Sequence, residues 1–325
     1  MSTETGECCL ICGHPMAARY VFSRLLHRLA VEPPMRVYWC RGCDAGFLLP
    51  RPTPELLAKL YGEEYFSSYN SDFPYGQPPN LMDRLRIHLA YRFDKGIRCT
   101  PEMIEEILGT RSVRICELGC GNGDVLIGFA NRGFTAVGIE PDRAAVHNAR
   151  AKGLKIIEGT AEQLPDEIPG APFDVVIMCH VLEHCLDPNL AIRNALGLLR
   201  PDGFLVIEVP NCSCFQFQCR GVIWFHSDPG RHVNYFTPGS LRKLFQKQDV
   251  RHYRNYYYQY LDHFLNNRIN GERSAWESMF NGPDRQNLDG LPTVSKSRAL
   301  WTLVNSLTLK PEQKYGVMGV IVQKN

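Results

Sequence analysis

The chain has 325 residues, 22% of them charged, and a formal net charge of +2. That length predicts one large domain or two modest ones, and the balanced charge argues against a dedicated nucleic-acid binder. No apolar run is long enough to span a bilayer. The start, MSTETGECC, lacks the charged and apolar regions of a signal peptide, so a cytoplasmic protein is expected. Its 13 cysteines are then thiols or metal ligands rather than disulfides.

Cys9-x-x-Cys12 and Cys40-x-x-Cys43 come first. Two thiol pairs at knuckle spacing predict a zinc site. With cysteine at all four positions the site would be closed and structural, leaving no open position for chemistry. Gly13 after one pair and Gly42 inside the other suit tight knuckles; Cys8 and His14 are nearby and are not expected to bind metal. Val37–Trp39 and Phe47–Leu49 read as strands. Thr53-Pro54-Glu55 starts a helix that runs to about Leu60: Thr caps it, Pro takes the first position and Glu meets the dipole. Tyr61–Tyr69 is aromatic and polar, either a lid over a ligand or surface packing. Asp72–Asn80 is a Pro- and Gly-rich loop and a boundary.

Leu81–Ile97 has helical apolar spacing, and Thr100-Pro101-Glu102 starts a second helix ending near Gly109. Val113–Asp124, VRICELGCGNGD, then organises the chain. A buried strand ends on Glu117 and enters a turn with Gly119, Gly121 and Gly123, followed by a helix over Val125–Asn131. A strand, a glycine turn and a helix make a nucleotide cradle. The next strand, Thr135–Ile139, ends at Glu140 and Pro141, placing an acid where it can accept both ribose hydroxyls.

The charge at this turn selects the ligand. A dinucleotide pattern wants a third glycine where Asp124 stands, and Glu117 and Asp124 would repel a pyrophosphate. Carboxylates suit a ligand with a cationic amino-acid tail, which points to S-adenosylmethionine (SAM). Glu117, Gly119, Gly121, Asn122, Gly123, Glu140 and Pro141 are the expected cofactor residues. A helix over Arg143–Ala151 and a strand over Leu154–Ile157 follow; Thr160, Ala161 and Glu162 then lie where the adenine should sit. Phe173–Met178 is the fourth strand and delivers Cys179 and His180 to the carboxyl edge of the sheet.

Asp187-Pro188 starts a helix to about Leu199, Pro201–Gly203 is a turn and Phe204–Val209 the fifth strand. Val250–Tyr258 and Val317–Gln323 are two last strands, the second a plausible antiparallel edge. Leu261–Leu309 between them is an insertion with a helix near Ala299–Leu307, a cap or a partner-binding face. The expected fold is α/β, a Rossmann-like doubly wound sheet of seven strands, the last antiparallel, with a small zinc-ribbon-like N-terminal domain. Its parts would be residues 1–72, a core over 81–260, the insertion over 261–312, and the last strand over 313–325. Cys212, Cys214 and Cys219 fit no zinc spacing and are expected to be free thiols.

The segments ELGCGNG, IEPD, GTAEQLP and HVLEH together resemble class I SAM-dependent methyltransferases. The paired cysteines with YWCRGCDAGFLLPRPTPELLAKLYGEEYF resemble the zinc-binding leader of sugar C-methyltransferases and their relatives in natural-product pathways. His226–Phe236 resembles that family's active-site stretch. The resemblance implies SAM and structural zinc as cofactors, a small-molecule acceptor and O- or C-methylation with a His base. His232 is first choice, beside Tyr235; His184 and His226 follow, then His180. The family carries a Tyr and a Glu just ahead of the second His; here Pro229 and Arg231 stand in those places, which separates this chain from a standard carbon-acid base. The alternative is a nucleic-acid or protein methyltransferase whose zinc domain grips a macromolecule, against which the absence of a basic tract counts. A non-catalytic SAM-binding scaffold is disfavoured by the intact acids and glycines.

Overall fold

Three antiparallel strands follow the first Cys pair: β1 (Ala17–Arg24), β2 (Ala30–Cys40) and β3 (Ala45–Leu49). The structure, a computed structural model, describes residues 7–24, 30–60, 80–265, 269 and 296–325. Tyr61–Tyr69, the Asp72–Asn80 loop except Asn80, and much of the Leu261–Leu309 insertion lie outside these residues. Strand β1 was not expected, and β2 extends well upstream of Val37. Pro33 and Pro34 argue against a strand at that point, since each lacks an N–H for the ladder. The register explains how they are tolerated. Phe22 faces Met35 but Arg24 faces Ala30, so the prolines fall where β2 bulges out of its pairing.

Helix α1 (Pro54–Leu60) lies where expected. Helix α2 (Leu81–Phe93) has a capping box: the Asn80 side chain accepts from the Asp83 N–H, and Asp83 accepts from the Asn80 N–H. It stops short of the expected Ile97. Asp94 turns extended at ψ 111°, and Gly96 passes so close to Tyr258 that a Cβ would stand 2.7 Å from its Cα.

The next stretch alternates helix and strand. Its elements are α3 (Pro101–Leu108), β4 (Arg114–Leu118), α4 (Leu126–Asn131), β5 (Thr135–Glu140), α5 (Arg143–Ala151), β6 (Lys155–Glu158), β7 (Phe173–Cys179), α6 (Pro188–Gly197) and β8 (Leu199–Pro210). The Pro201–Gly203 turn is absorbed into β8 as an irregularity. Phe173 pairs Leu199 and Val175 pairs Phe204, while Asp202 takes φ +60°. The chain goes on through α7 (Phe215–Arg220), β9 (Asn234–Tyr235), α8 (Pro238–Phe245), β10 (Val250–Tyr258), α9 (Lys296–Ser306), α10 (Pro311–Lys314) and β11 (Val317–Lys324).

Seven strands form one sheet in the order β10-β11-β8-β7-β4-β5-β6, parallel through its centre with the last strands antiparallel. This is the Rossmann-like α/β architecture expected. Strand order reverses beside β4, so the crevice outside the carboxyl end of β4 is the ligand position of such sheets.

The chain divides into two compact units. One comprises Met1–Gly96, Pro210–Leu241 and Tyr257–Met318; the other comprises Ile97–Val209, Arg242–Tyr256 and Gly319–Asn325. In the first, β9 pairs β3 through Gly46–Tyr235 and Phe47–Asn234. Met35, Val37, Trp39 and Leu48 share one core with Cys212, Phe217, Trp224 and Tyr235. The Arg51 guanidinium donates to the Val233 carbonyl at 2.6 Å and to Asn234 Oδ1 at 2.8 Å. The core of the cysteine-bearing leader is thus completed by residues far downstream.

Candidate cofactor and metal sites

Glu117 ends β4 and is 2% exposed. Its Oε2 has no hydrogen-bond partner. Gly119, Gly121 and Gly123 take φ of +69°, +51° and +76°, the left-handed region open to glycine at no steric cost. The space is equally restrictive. A Cβ on Gly119 would stand 2.5 Å from Val181 Cγ2, and one on Gly123 2.3 Å from Leu154 Cδ1. Glu140 ends β5 and ties down the turn. Its Oε2 accepts the Gly121 N–H at 2.8 Å and its Oε1 the Asp142 N–H at 3.0 Å. Each carboxylate oxygen keeps a lone pair for a further donor.

This edge of the sheet is acidic, and its acids are buried. Burial pushes the Glu117 carboxyl well above the usual carboxylate range, and the charges of Glu208 and Glu140 push it further. Burial also raises Glu140, against the two N–H bonds that favour its ionised form. A buried carboxylate oxygen with no partner, beside a cradle that a Cβ would fill, fits a ligand bearing an ammonium and a sulfonium.

The other expected cofactor residues have the following partners. The Asn122 carbonyl accepts from Lys152 Nζ at 2.7 Å, and its side chain meets Asn148. Pro141 is exposed. Thr160 Oγ1 accepts the Gln163 N–H at 2.8 Å, and the Ala161 and Glu162 carbonyls accept from Asn194. The Glu162 carboxylate caps the start of α6, taking the Leu186 and Asp187 N–H groups at 3.1 and 2.7 Å. Cys179 donates to Glu208 at 3.1 Å. His180 holds a left-handed φ of +56°, and its Nδ1 lies 3.1 Å from Glu183 Oε1. Burial disfavours the imidazolium, but Glu183 outweighs burial and His180 titrates above its ordinary value.

Three residues missed in the sequence also shape this unit. Glu208, in the apolar run of β8, is 3% exposed and accepts from the Tyr256 hydroxyl at 2.8 Å. Gly138 makes room for Cys120, whose Sγ would stand 2.5 Å from a Cβ there. Glu183 is buried beside His180. A lone acid in a buried strand was the available signal for Glu208, and the HVLEH segment was the one for Glu183; Gly138 had none.

Among the candidate bases, His184 sits half-buried in a short turn, Leu182–His184. His226, His232 and Tyr235 belong to the other compact unit. The His226 ring packs 5.0 Å from Trp224, and His232 is half-buried with its N–H on the Asp228 carbonyl at 2.9 Å. Tyr235 is 2% exposed inside the leader's core, its ring 6.3 Å from Phe217 and its hydroxyl without a partner. Burial drives that phenol well above its ordinary value.

Cys9, Cys12, Cys40 and Cys43 come together with every sulfur within 4.8 Å of every other. Cys9 lies 3.4 Å from Cys43, and Cys12 lies 3.4 Å from Cys40. A tetrahedron of Zn–S bonds of about 2.3 Å has edges of about 3.8 Å, inside that range. Both knuckles have the same backbone. The Gly13 N–H returns to the Cys9 carbonyl and the Asp44 N–H to the Cys40 carbonyl, each at 2.8 Å. The left-handed residues are Gly13 and Asp44, so the second knuckle turns at Asp44 rather than at Gly42. Gly42 serves packing instead: the His14 ring would stand 3.1 Å from a Cβ there. Cys212 and Cys214 are buried in the core and Cys219 is exposed.

The chain is similar to proteins named ubiquinone biosynthesis O-methyltransferase. One from a Caulobacter species is 35% identical over 105 residues, 30% of this chain and 41% of that protein. One from Azorhizobium caulinodans is 33% identical over 143 residues, 40% of this chain and 56% of that protein. The match thus spans about half the length of these curated relatives. The magnesium protoporphyrin IX methyltransferase of Synechocystis, solved with S-adenosylhomocysteine, aligns over 84% of this chain and all of its own, with TM-score 0.47 and 13% identity. The profile of a family described as a methyltransferase domain matches residues 76–252. A match over more than half of its residues makes the chain a member of that family, as a SAM-dependent methyltransferase.

Proposed function

We propose that this chain methylates a hydroxyl of a small molecule, a natural product or a nucleotide-linked sugar, with SAM as donor and zinc as a structural metal. The observation that carries the reading is the partnerless Glu117 Oε2 beside the three left-handed glycines. Pro229 and Arg231, where a carbon-acid enzyme of the resembling family would have Tyr and Glu, favour oxygen over carbon. The O-methyltransferase names of the relatives agree with that choice. The four clustered thiols suit zinc and would fill its four positions, so the metal would hold the leader together rather than react.

Bound SAM supplies a methyl group on a sulfonium leaving group. The protein's task is then to position, to exclude water and to remove a proton. Glu117 would face the cationic tail and Glu140 the ribose hydroxyls, through the lone pairs left by Gly121 and Asp142. His232 is the proposed base for the acceptor hydroxyl, with His184 and His226 next. Imidazole suits the role because its ordinary pKa lies near neutral pH. His180 suits it less, since Glu183 keeps its proton in place.

Calorimetry with SAM tests the cofactor assignment. Glu140→Ala should weaken binding by ~1–2 kcal/mol through lost ribose hydrogen bonds and a loosened turn; unchanged affinity would remove Glu140 from the site. His232→Ala should lower turnover about tenfold or more while leaving SAM affinity near wild type. Wild-type turnover in that variant would exclude His232 as the base.

A further inference from the structure

Helices α2 and α9, both in the leader-bearing unit, leave apolar side chains in water. Leu81 of α2 is 82% exposed and Trp301 of α9 is 65% exposed. Of the 12 large apolar side chains exposed among the described residues, 8 lie on these two helices or directly after α9. The helices are neighbours, since Ala90 of α2 and Leu303 of α9 share one buried cluster. Monomeric proteins rarely leave an apolar surface so concentrated without a function for it.

The exposed charges on α2 itself have one sign. Arg84, His88 and Arg92 are exposed on α2, interleaved with Leu81 and Leu85. The single carboxylate of α2, Asp83, is buried against Arg86 at 3.0 Å. Asp94, just past the helix, accepts the Gly96 and Leu261 N–H groups. The stretch 296–310, KSRALWTLVNSLTLK, has three basic residues and no acid. A second copy of the chain docked on this face would set like charges against each other. A surface of anionic headgroups would not: leucines and tryptophan enter the acyl boundary while arginines remain at the phosphates.

We propose that α2 and α9 form a docking face for an anionic lipid surface. This is independent of which molecule accepts the methyl group. The full chain is mixed with phosphatidylcholine vesicles, with and without phosphatidylglycerol, and bound protein is read by co-sedimentation and tryptophan emission. Binding is expected only with phosphatidylglycerol, with a blue-shifted emission, and should weaken as salt is added. Leu85→Glu and the double variant Arg84→Glu, Arg92→Glu should each reduce partitioning about tenfold or more. Both should keep the thermal upshift with S-adenosylhomocysteine, which reports an intact fold. Absence of binding to anionic vesicles at low salt overturns the proposal, as does equal binding by the variants. So does a wild-type dimer that Leu85→Glu converts to monomer, which would assign the face to a second copy.

Discussion

Cys40→Ser should release the metal and loosen residues 212–235 together with the leader. Cys40 is fully buried, and its sulfur sits 3.4 Å from Cys12 within the four-thiol cluster. A structural zinc contributes of the order of 10 kcal/mol to folding through its ligands. Serine offers a hard oxygen where the ion takes soft thiolates, so metal content should fall from one zinc per chain to nearly none. Cys40 also pairs Ala45 at the turn from β2 to β3, and β3 holds β9. Loss of the knuckle therefore reaches Trp224 and Tyr235, which share a core with Trp39. Tryptophan emission should move to the red as that core opens. Cys219→Ser, at an exposed thiol, should change neither readout. Equal zinc stoichiometry in wild type and Cys40→Ser would sink the assignment.

That propagation is what the sequence hides. Local signals were readable. Helix α5 runs over Arg143–Ala151 as expected because Asp142 caps it and its apolar residues recur at helical spacing. The thiol pairs and the glycine turn were readable for the same reason, since their chemistry depends on spacing along the chain. Pairing of β3 with β9 joins Gly46 to Tyr235, and no periodicity announces a partner so distant. Tyr235 shows the consequence. Beside His232 in the sequence, it gives no sign that its ring packs into the leader's core. Asp44 illustrates a subtler loss: the second knuckle needed a left-handed residue, and an Asp, which tolerates that region, supplied it in place of the nearby glycine. Leu81–Ile97 read too long because Ile97 continues the four-residue apolar spacing of the helix, although the chain turns extended at Asp94 and Ile97 is exposed.

Glu117→Gln should bind SAM about a hundredfold more weakly and yet melt at a higher temperature without ligand. Both effects have one cause. The Glu117 carboxyl is raised well above its ordinary value first by burial, then by Glu208 and Glu140, with Asp124 adding; only the Leu126 N–H opposes them. The folded protein therefore holds that proton more tightly than the unfolded chain does. Such an acid contributes its full stability below the ordinary carboxylate value and loses it as pH rises through the raised one. Glutamine mimics the protonated form at every pH, so the gain in melting temperature should grow with pH across that window. Ligand binding runs the other way. A cationic tail beside Glu117 favours its ionised form, so SAM uptake should expel a proton in the same window. Wild-type affinity should rise with pH there, and calorimetry in two buffers of different ionisation heat should read the released proton. The variant should show neither effect. Removing one partner of a buried charge pair costs about 3 kcal/mol or more, which sets the hundredfold loss. Equal SAM affinity in the variant, or the same proton release, would mean that the carboxylate does not face the methyl donor. Greater ligand-free stability combined with weaker binding is the signature of an acid buried for its ligand, at the expense of the fold.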